Sequence, residues 1–273
     1  MYWIYDLPYW GGALLLSAVF LGFTWLGIVL VRPWVRRNAA DQPGWNTLIG
    51  AIFAGYVVFY GITLALIAIS TIQNFTATNQ TAGREAAALG TLYRDVSSYP
   101  DPIRGDLQAM LRDYTRYVIE EAWPAQRRGD IPEGGTELTT AFQDRLLSFQ
   151  PQTRAEETLH VETVGQFSDF VDYRRQRLHS VSIGLPAPLW IVVGAGAVLN
   201  TVLICLFGVE RLIVHLIIGG ILPLFVALLI FLMVEMDAPF RGEVSIGPEA
   251  FQIVQRSLME EDGSRSPSPL SSE

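Results

Sequence analysis

Few side chains in this chain are spaced to do chemistry. His160, His179 and His215 are the only histidines, and none stands in an H-E-x-x-H or similar metal-binding pair. No G-x-S-x-G elbow, P-loop or dinucleotide fingerprint after a strand occurs. The acidic pairs Glu120-Glu121 and Glu156-Glu157 have the carboxylates of general acid–base chemistry, but they fall on solvated helical faces. His215 lies about one turn into an apolar run. It fits either a proton or ion relay or a hydrogen-bonded interfacial histidine. Asn200, in the middle of another run, is an amide at membrane depth and needs a hydrogen-bonding partner there. No catalytic, cofactor-binding or metal residue is expected, and an enzyme is not expected.

Two further groups are more informative. Phe53, Tyr56 and Tyr60 form an aromatic stripe on the second apolar run, with Gly50, Ala54, Gly55 and Gly61 spaced for close packing. Such a stripe is helix–helix contact, or, repeated around an oligomer's axis, a hydrophobic pore constriction that gates by dewetting. The other group is Asp237-Ala238-Pro239-Phe240-Arg241-Gly242, just past the last run. A carboxylate, a proline fixing the exit direction, an aromatic anchor and an arginine suit a helix end pinned at an interface. Asp237 and Arg241 are also placed to pair with each other, and a place at a pore mouth is the functional alternative.

The elements that must position these residues are four uncharged apolar runs: 11–31, 48–72, 187–209 and 212–234. Each is long enough, at about 1.5 Å per residue, to cross a hydrocarbon core of about 30 Å. The fold class is therefore all-α: an integral membrane protein with four transmembrane helices, two plus two, and a helical soluble bundle inserted between the second and third. The divisions are a first hairpin over 1–72, the insert over 73–186, a second hairpin over 187–236, a juxtamembrane segment over 237–259, and a disordered Ser/Pro/acid tail over 260–273. The first run is a retained span, because its leader has no basic residue and contains Asp6, unlike a signal peptide. Trp3, Tyr5, Tyr9, Trp10, Trp34, Trp45 and Trp190 suit interfacial aromatic belts.

Arg32 to Arg37 close the first hairpin, and Glu210-Arg211 alone divide the third run from the fourth. In the fourth, Gly219-Gly220 and Pro223 predict a kink. Within the insert, Ile103, Leu107, Met110, Leu111, Tyr114, Tyr117 and Val118 make a helical stripe, with Asp101 as N-cap, Pro102 at the first position and a stop near Trp123-Pro124. Leu138, Phe142, Leu146 and Phe149 mark a shorter helix. Thr153 and Glu156 form a capping box opening a last one, with the stripe His160, Val164, Phe167, Val171, Arg174 and Leu178. The first and last helices of the insert are expected to continue the second and third spans.

All 19 basic residues are arginine, and the net charge of -8 speaks against nucleic acid as a partner. The single cysteine, Cys205, allows no internal disulfide and lies in an apolar run, where thiolate chemistry is disfavoured. Arg32, Arg36 and Arg37 in a short loop place that loop in the cytoplasm and the insert outside it. Arg174, Arg175 and Arg177 near the third run pull the other way.

The chain resembles the bestrophin-like domain proteins, bacterial four-span membrane proteins of unknown function. Asn46, Gly50 and Tyr60 carry the resemblance, with Glu85-Ala86 followed by Leu89 and Leu92, and Trp123-Pro124 after the Tyr114-bearing helix. Arg174-Arg175, Arg177-Leu178 and Leu189-Trp190 follow in order, and Asp237 to Gly242 is the most specific element; the likeness covers roughly residues 10–253. The family is remotely similar to bestrophins, pentameric anion channels with a helical cytosolic region. The resemblance implies a homo-oligomer in the bacterial inner membrane, small anions as the permeant species, a pore lined by the second span, and a cytosolic insert, against the charge rule. No bestrophin calcium clasp is recognisable. Two functions compete: a homo-oligomeric anion channel, and a non-conducting scaffold or sensor whose insert binds a partner. A dominant hetero-partner on cross-linking marks the second, and a self-ladder the first.

Overall fold

The computed structural model describes residues 8–39, 42–181 and 184–260. The leader residues Trp3, Tyr5 and Asp6 and the tail from 261 onward lie outside the described residues. Among those described, every regular element is helical: α1 (Tyr9–Asn38), α2 (Trp45–Val96), α3 (Ile103–Tyr117), α4 (Trp123–Arg128), α5 (Gly134–Leu147), α6 (Arg154–Ser180), α7 (Ala187–Cys205), α8 (Leu212–Asp237) and α9 (Glu249–Val254). Helices α1, α2, α7 and α8 are each long and apolar enough to cross a membrane. The chain divides into two compact units. One comprises Met1–Phe75, Gly184–Ala238 and Gly242–Val244; the other comprises Thr76–Ile183, Pro239–Arg241 and Ser245–Glu273.

In the first unit α1 runs through Pro33 to Asn38 rather than stopping at the arginines. Pro33 removes the amide that would bond the Val29 carbonyl, a loss tolerated near a helix end where water reaches the backbone. Buried Val35 holds the last turns in place, and the chain reverses through Gly44, whose φ of +92° suits glycine. Helix α7 ends at Cys205, four residues before its apolar run does, so the joint to α8 is longer than Glu210-Arg211. Its freed backbone groups are taken by the start of α2. Asn46 Nδ2 donates to the Gly208 carbonyl and Gly208 N–H donates to Asn46 Oδ1, both at 2.9 Å, and Trp45 Nε1 donates to the Leu206 carbonyl at 2.9 Å. Helix α8 is continuous with Pro223 inside it. The core is built from Tyr60, Leu64 and Ile67 of α2, Val193 and Ala197 of α7, and Val226, Ile230 and Met233 of α8.

In the second unit, Leu89, Leu92 and Tyr93 of α2 are buried, as are Leu107, Leu111 and Tyr114 of α3 and Phe142 and Leu146 of α5. Asp101 does not cap α3; it pairs with Arg104, and Pro102 takes the N-cap position. The helix does not stop at Trp123-Pro124. A π-helical turn, Val118–Ala122, leads into α4, which ends at Gly129 with φ +89°. The wide turn absorbs the amide missing at Pro124. At α6 Thr153 accepts the Glu156 amide at 3.2 Å and the Glu156 carboxylate accepts the Gln152 amide at 2.7 Å, close to the expected box. The buried face of α6 is Thr163, Phe167, Phe170, Arg174 and Arg177, turned from the expected stripe because a charged side chain is drawn into the core. Helix α6 ends at Ser180 and α7 starts at Ala187, so the two are separate elements rather than one continuous rod.

Candidate functional site

The aromatic stripe of α2 faces α7. Tyr60 is 8% exposed and donates its hydroxyl to the Val193 carbonyl at 2.9 Å. Tyr56 donates to the Gly196 carbonyl, and the two rings stack with centroids 5.5 Å apart. Phe53 is half-buried, edge-on to Phe207 at 5.6 Å. The ring of Tyr60 lies so close to Gly196 that any Cβ there would overlap it, which explains the small residue at that point of α7. The glycines of α2 do not serve the same end: Gly50, Gly55 and Gly61 have nothing within 4 Å of where a Cβ would stand. Beside the buried stripe, Ile52, Val58, Phe59, Ile62, Leu66 and Ile69 are exposed.

Polar groups cluster deeper in the same unit. Thr24 of α1 and Thr201 of α7, both buried, share a hydrogen bond of 3.3 Å. Asn200 is 1% exposed, and its Oδ1 has no hydrogen-bond partner among the described residues. His215 is buried with Nε2 3.0 Å from the Ile204 carbonyl, which fits an Nε2–H donor, and its Nδ1 is likewise without a partner. Cys205 is buried and free. Among the described residues no three His, Cys, Asp or Glu side chains come together to hold a metal.

The polar members of the Asp237 to Gly242 segment are used internally. Asp237 accepts the Leu185 amide just before α7. The Pro239 carbonyl accepts the Ile246 amide at 2.8 Å, Phe240 is buried edge-on to Trp123 at 5.7 Å, and Arg241 donates to the Arg128 carbonyl at 2.6 Å. Arg241 thereby closes the C-terminus of α4, where Gly129 leaves room for the guanidinium. Gly242 has φ +78°, the conformation glycine adopts without strain.

Sequence reasoning missed a buried ion pair in the second unit. Arg177 of α6 is 1% exposed and Glu85 of α2 is 0% exposed. Arg177 donates through Nε (2.5 Å) and Nη2 (3.0 Å) to the Glu85 carboxylate, and through Nη1 to Gln126 Oε1 at 2.7 Å. Tyr114 donates to Glu85 at 2.9 Å, and the guanidinium lies 5.0 Å from the Trp123 ring centroid. Burial alone would lower the Arg177 pKa, but the Glu85 charge and hydrogen bonds outweigh it and hold the guanidinium above its ordinary range. Burial pushes the Tyr114 hydroxyl up, and the Glu85 carboxylate pushes it further. The available signal was an acid and an arginine on otherwise apolar helix faces.

With this geometry in view, comparison with known proteins is decisive on family. The Bestrophin-like domain model matches residues 18–251. The chain belongs to the Bestrophin-like family. No curated protein sequence matches it. Among solved structures, a single-substitution variant of a bacterial Bestrophin homolog from Klebsiella pneumoniae superposes with a TM-score of 0.67 at 12% identity, covering 90% of this chain and 98% of that one. A second structure of that homolog gives 0.64, with the same identity and coverage. A structure described as that of a membrane protein gives 0.64 at 12% identity over 89% and 98% of the two chains. At this identity the likeness establishes a shared fold. The chain is thus an all-helical Bestrophin-like membrane protein. The matched span takes in the α2 stripe, the Glu85–Arg177 pair and the whole Asp237 to Gly242 segment.

Proposed function

We propose that this Bestrophin-like protein is the subunit of a homo-oligomeric, anion-permeable channel whose axis is lined by α2, with four crossings arranged two plus two around the soluble insert. The observation that carries the reading is the asymmetry of α2. One narrow stripe is held by α7, while Ile52, Phe59, Ile62, Leu66 and Ile69 stand bare. Beyond Ile72 the helix continues into Gln73 to Thr81, rich in amides and hydroxyls and free of charge, a lining suited to weak, multi-site contact with a permeating ion. In this reading Tyr56, Tyr60 and Phe53, the expected constriction, form the supporting layer that fixes α2, and Phe59 and Ile62 face the axis. The family relationship favours a channel over an enzyme.

The test is planar-bilayer recording of the purified protein. Wild type conducts and selects anions, Phe59→Ala and Ile62→Ala raise conductance, and Tyr60→Phe leaves selectivity unchanged. A stable monomer without conductance refutes the reading, and a dominant hetero-partner on cross-linking redirects it to a scaffold. For orientation, Arg32, Arg36, Arg37 and Arg211 gather at the end of the first unit holding both short joints. On the insert side Arg177 is neutralised by Glu85. The positive-inside rule then favours a cytoplasmic joint end in the bacterial inner membrane and an extracytoplasmic insert. Reporter fusions at Gly134 and at the C-terminus test this, and cytoplasmic activity of the Gly134 fusion refutes it.

A further inference from the structure

At the end of α1, two cavities of about 340 and 400 Å³ flank one pair of arginines, Arg32 and Arg36. These two stand four residues apart, on the same face of α1, so their charges repel. Neither they nor Arg37 form an ion pair with a carboxylate among the described residues. Arg32 is held by one arm: its Nη2 donates to the Glu210 carbonyl at 2.7 Å. Its Nε is buried and has no hydrogen-bond partner among the described residues, which leaves one donor unmet. A guanidinium fixed at one nitrogen, with a neighbouring N–H unspent, is half of a bidentate oxyanion clamp.

The two cavities differ in a way that locates the anion. The smaller includes Glu210 in its wall, which opposes negative charge there. The larger is walled by Arg32, Arg36 and Arg37 with Val29, Pro33 and Leu212, and no carboxylate lines it. Three cations over an apolar floor, at the end of two helices apolar enough to span a membrane, match an anion that carries a hydrocarbon tail. We propose that this cavity is a binding site for a phosphate-bearing ligand, with Arg32 and Arg36 clamping the phosphate and Val29, Pro33 and Leu212 contacting an acyl chain. A glycerophospholipid headgroup and free phosphate share that chemistry; the apolar floor favours the lipid. The inference is independent of whether the protein conducts.

The experiment is native mass spectrometry and thermal-shift titration of the full-length protein in a neutral detergent. The probes are short-chain phosphatidylglycerol, short-chain phosphatidylcholine and inorganic phosphate. Wild type is expected to retain phosphatidylglycerol at saturable stoichiometry and in preference to phosphatidylcholine. Arg36→Gln changes an exposed side chain and is expected to weaken binding on the order of tenfold, a typical loss for one charge-assisted contact. Arg32→Gln weakens it at least as much, and Arg175→Gln, an exposed arginine of the second unit, leaves it unchanged. Binding of inorganic phosphate with the same Arg36 dependence and no gain from the acyl chain identifies free phosphate as the source. If Arg36→Gln, with an unaltered melting temperature, binds phosphatidylglycerol as wild type does, or if wild type prefers neither lipid nor phosphate, the proposal is overturned.

Discussion

Replacing Arg177 by Met tests whether the Glu85–Arg177 pair governs the second unit. The substitution keeps most of the side-chain volume and removes both bonds to Glu85 and the bond to Gln126. Glu85, 0% exposed, is left with the Tyr114 hydroxyl as its hydrogen-bond donor among the described residues. A buried pair broken on one side costs about 3–5 kcal/mol, chiefly because the surviving charge has neither water nor a counter-charge. For a unit of this size the unfolding midpoint falls on the order of 10 °C. Trp123 stacks against the guanidinium, so the tryptophan fluorescence of purified protein in detergent follows the transition from inside the cluster.

The same variant predicts its own rescue. Without Arg177, Glu85 is a buried carboxylate with no counter-charge, and removing that carboxylate relieves the cost. Glu85→Gln combined with Arg177→Met removes the stranded charge and recovers at least about half of the loss, a strong non-additivity. If Arg177→Met melts within about 1 kcal/mol of wild type, or if adding Glu85→Gln recovers none of the loss, the pair is not what holds this core.

Three further outcomes follow from single contacts. Tyr60→Phe removes one buried hydroxyl-to-carbonyl bond and costs about 1 kcal/mol in detergent unfolding, whereas Gly196→Ala forces the Tyr60 ring aside and costs about 1–3 kcal/mol, less when Tyr60→Ala is already present. Gly129→Ala puts a side chain at φ +89° and into the space of the Arg241 guanidinium; a loss of about 1–2 kcal/mol is expected, and proteolysis near Gly129 reports it. The raised pKa of Tyr114 makes its contribution fully present below the ordinary tyrosine value of about 10 and lost as pH climbs from there. Alkaline melting curves of Tyr114→Phe are therefore flatter above pH 10 than those of wild type.

The four apolar helices were legible because a run of twenty uncharged residues has few alternatives. Their ends were less so. The first apolar run ends before Arg32, yet α1 continues through Pro33 to Asn38, since one lost hydrogen bond near a wet helix end is cheap beside the burial of Val35. Helix α7 stops before its apolar run does because Asn46 and Trp45 take up its loop's backbone groups, a pairing across more than 150 residues that no local pattern announces. The α2 stripe was found as a set, but periodicity cannot say which neighbour a stripe meets. Here that neighbour is α7, whose Gly196 admits the Tyr60 ring. On α6 the expected stripe includes Phe167 and Arg174 but not Arg177, because only Glu85 opposite makes Arg177 a core residue and no local pattern shows that partner.

Exposure of apolar side chains on α2 is not by itself evidence for a pore, since lipid covers Ile62 or Leu66 as well as a neighbouring subunit does. What distinguishes the two is what holds the other face of α2. The van der Waals packing of Leu64 and Ile67 in the core is joined by directional contacts that fix the orientation of the helix, and Tyr56 and Tyr60 supply two of them to α7 carbonyls about one turn apart. These contacts restrain rotation of the first-unit part of α2 while leaving Phe59 and Ile62 exposed. A helix whose only task was to anchor the chain in lipid would have no need of a defined rotation. One that presents Phe59 and Ile62 to an axis depends on it, so loosening α2 by Tyr56→Phe with Tyr60→Phe should blur single-channel conductance into several levels without abolishing it. A single unchanged conductance level in that double variant would separate the rotation of α2 from the pore.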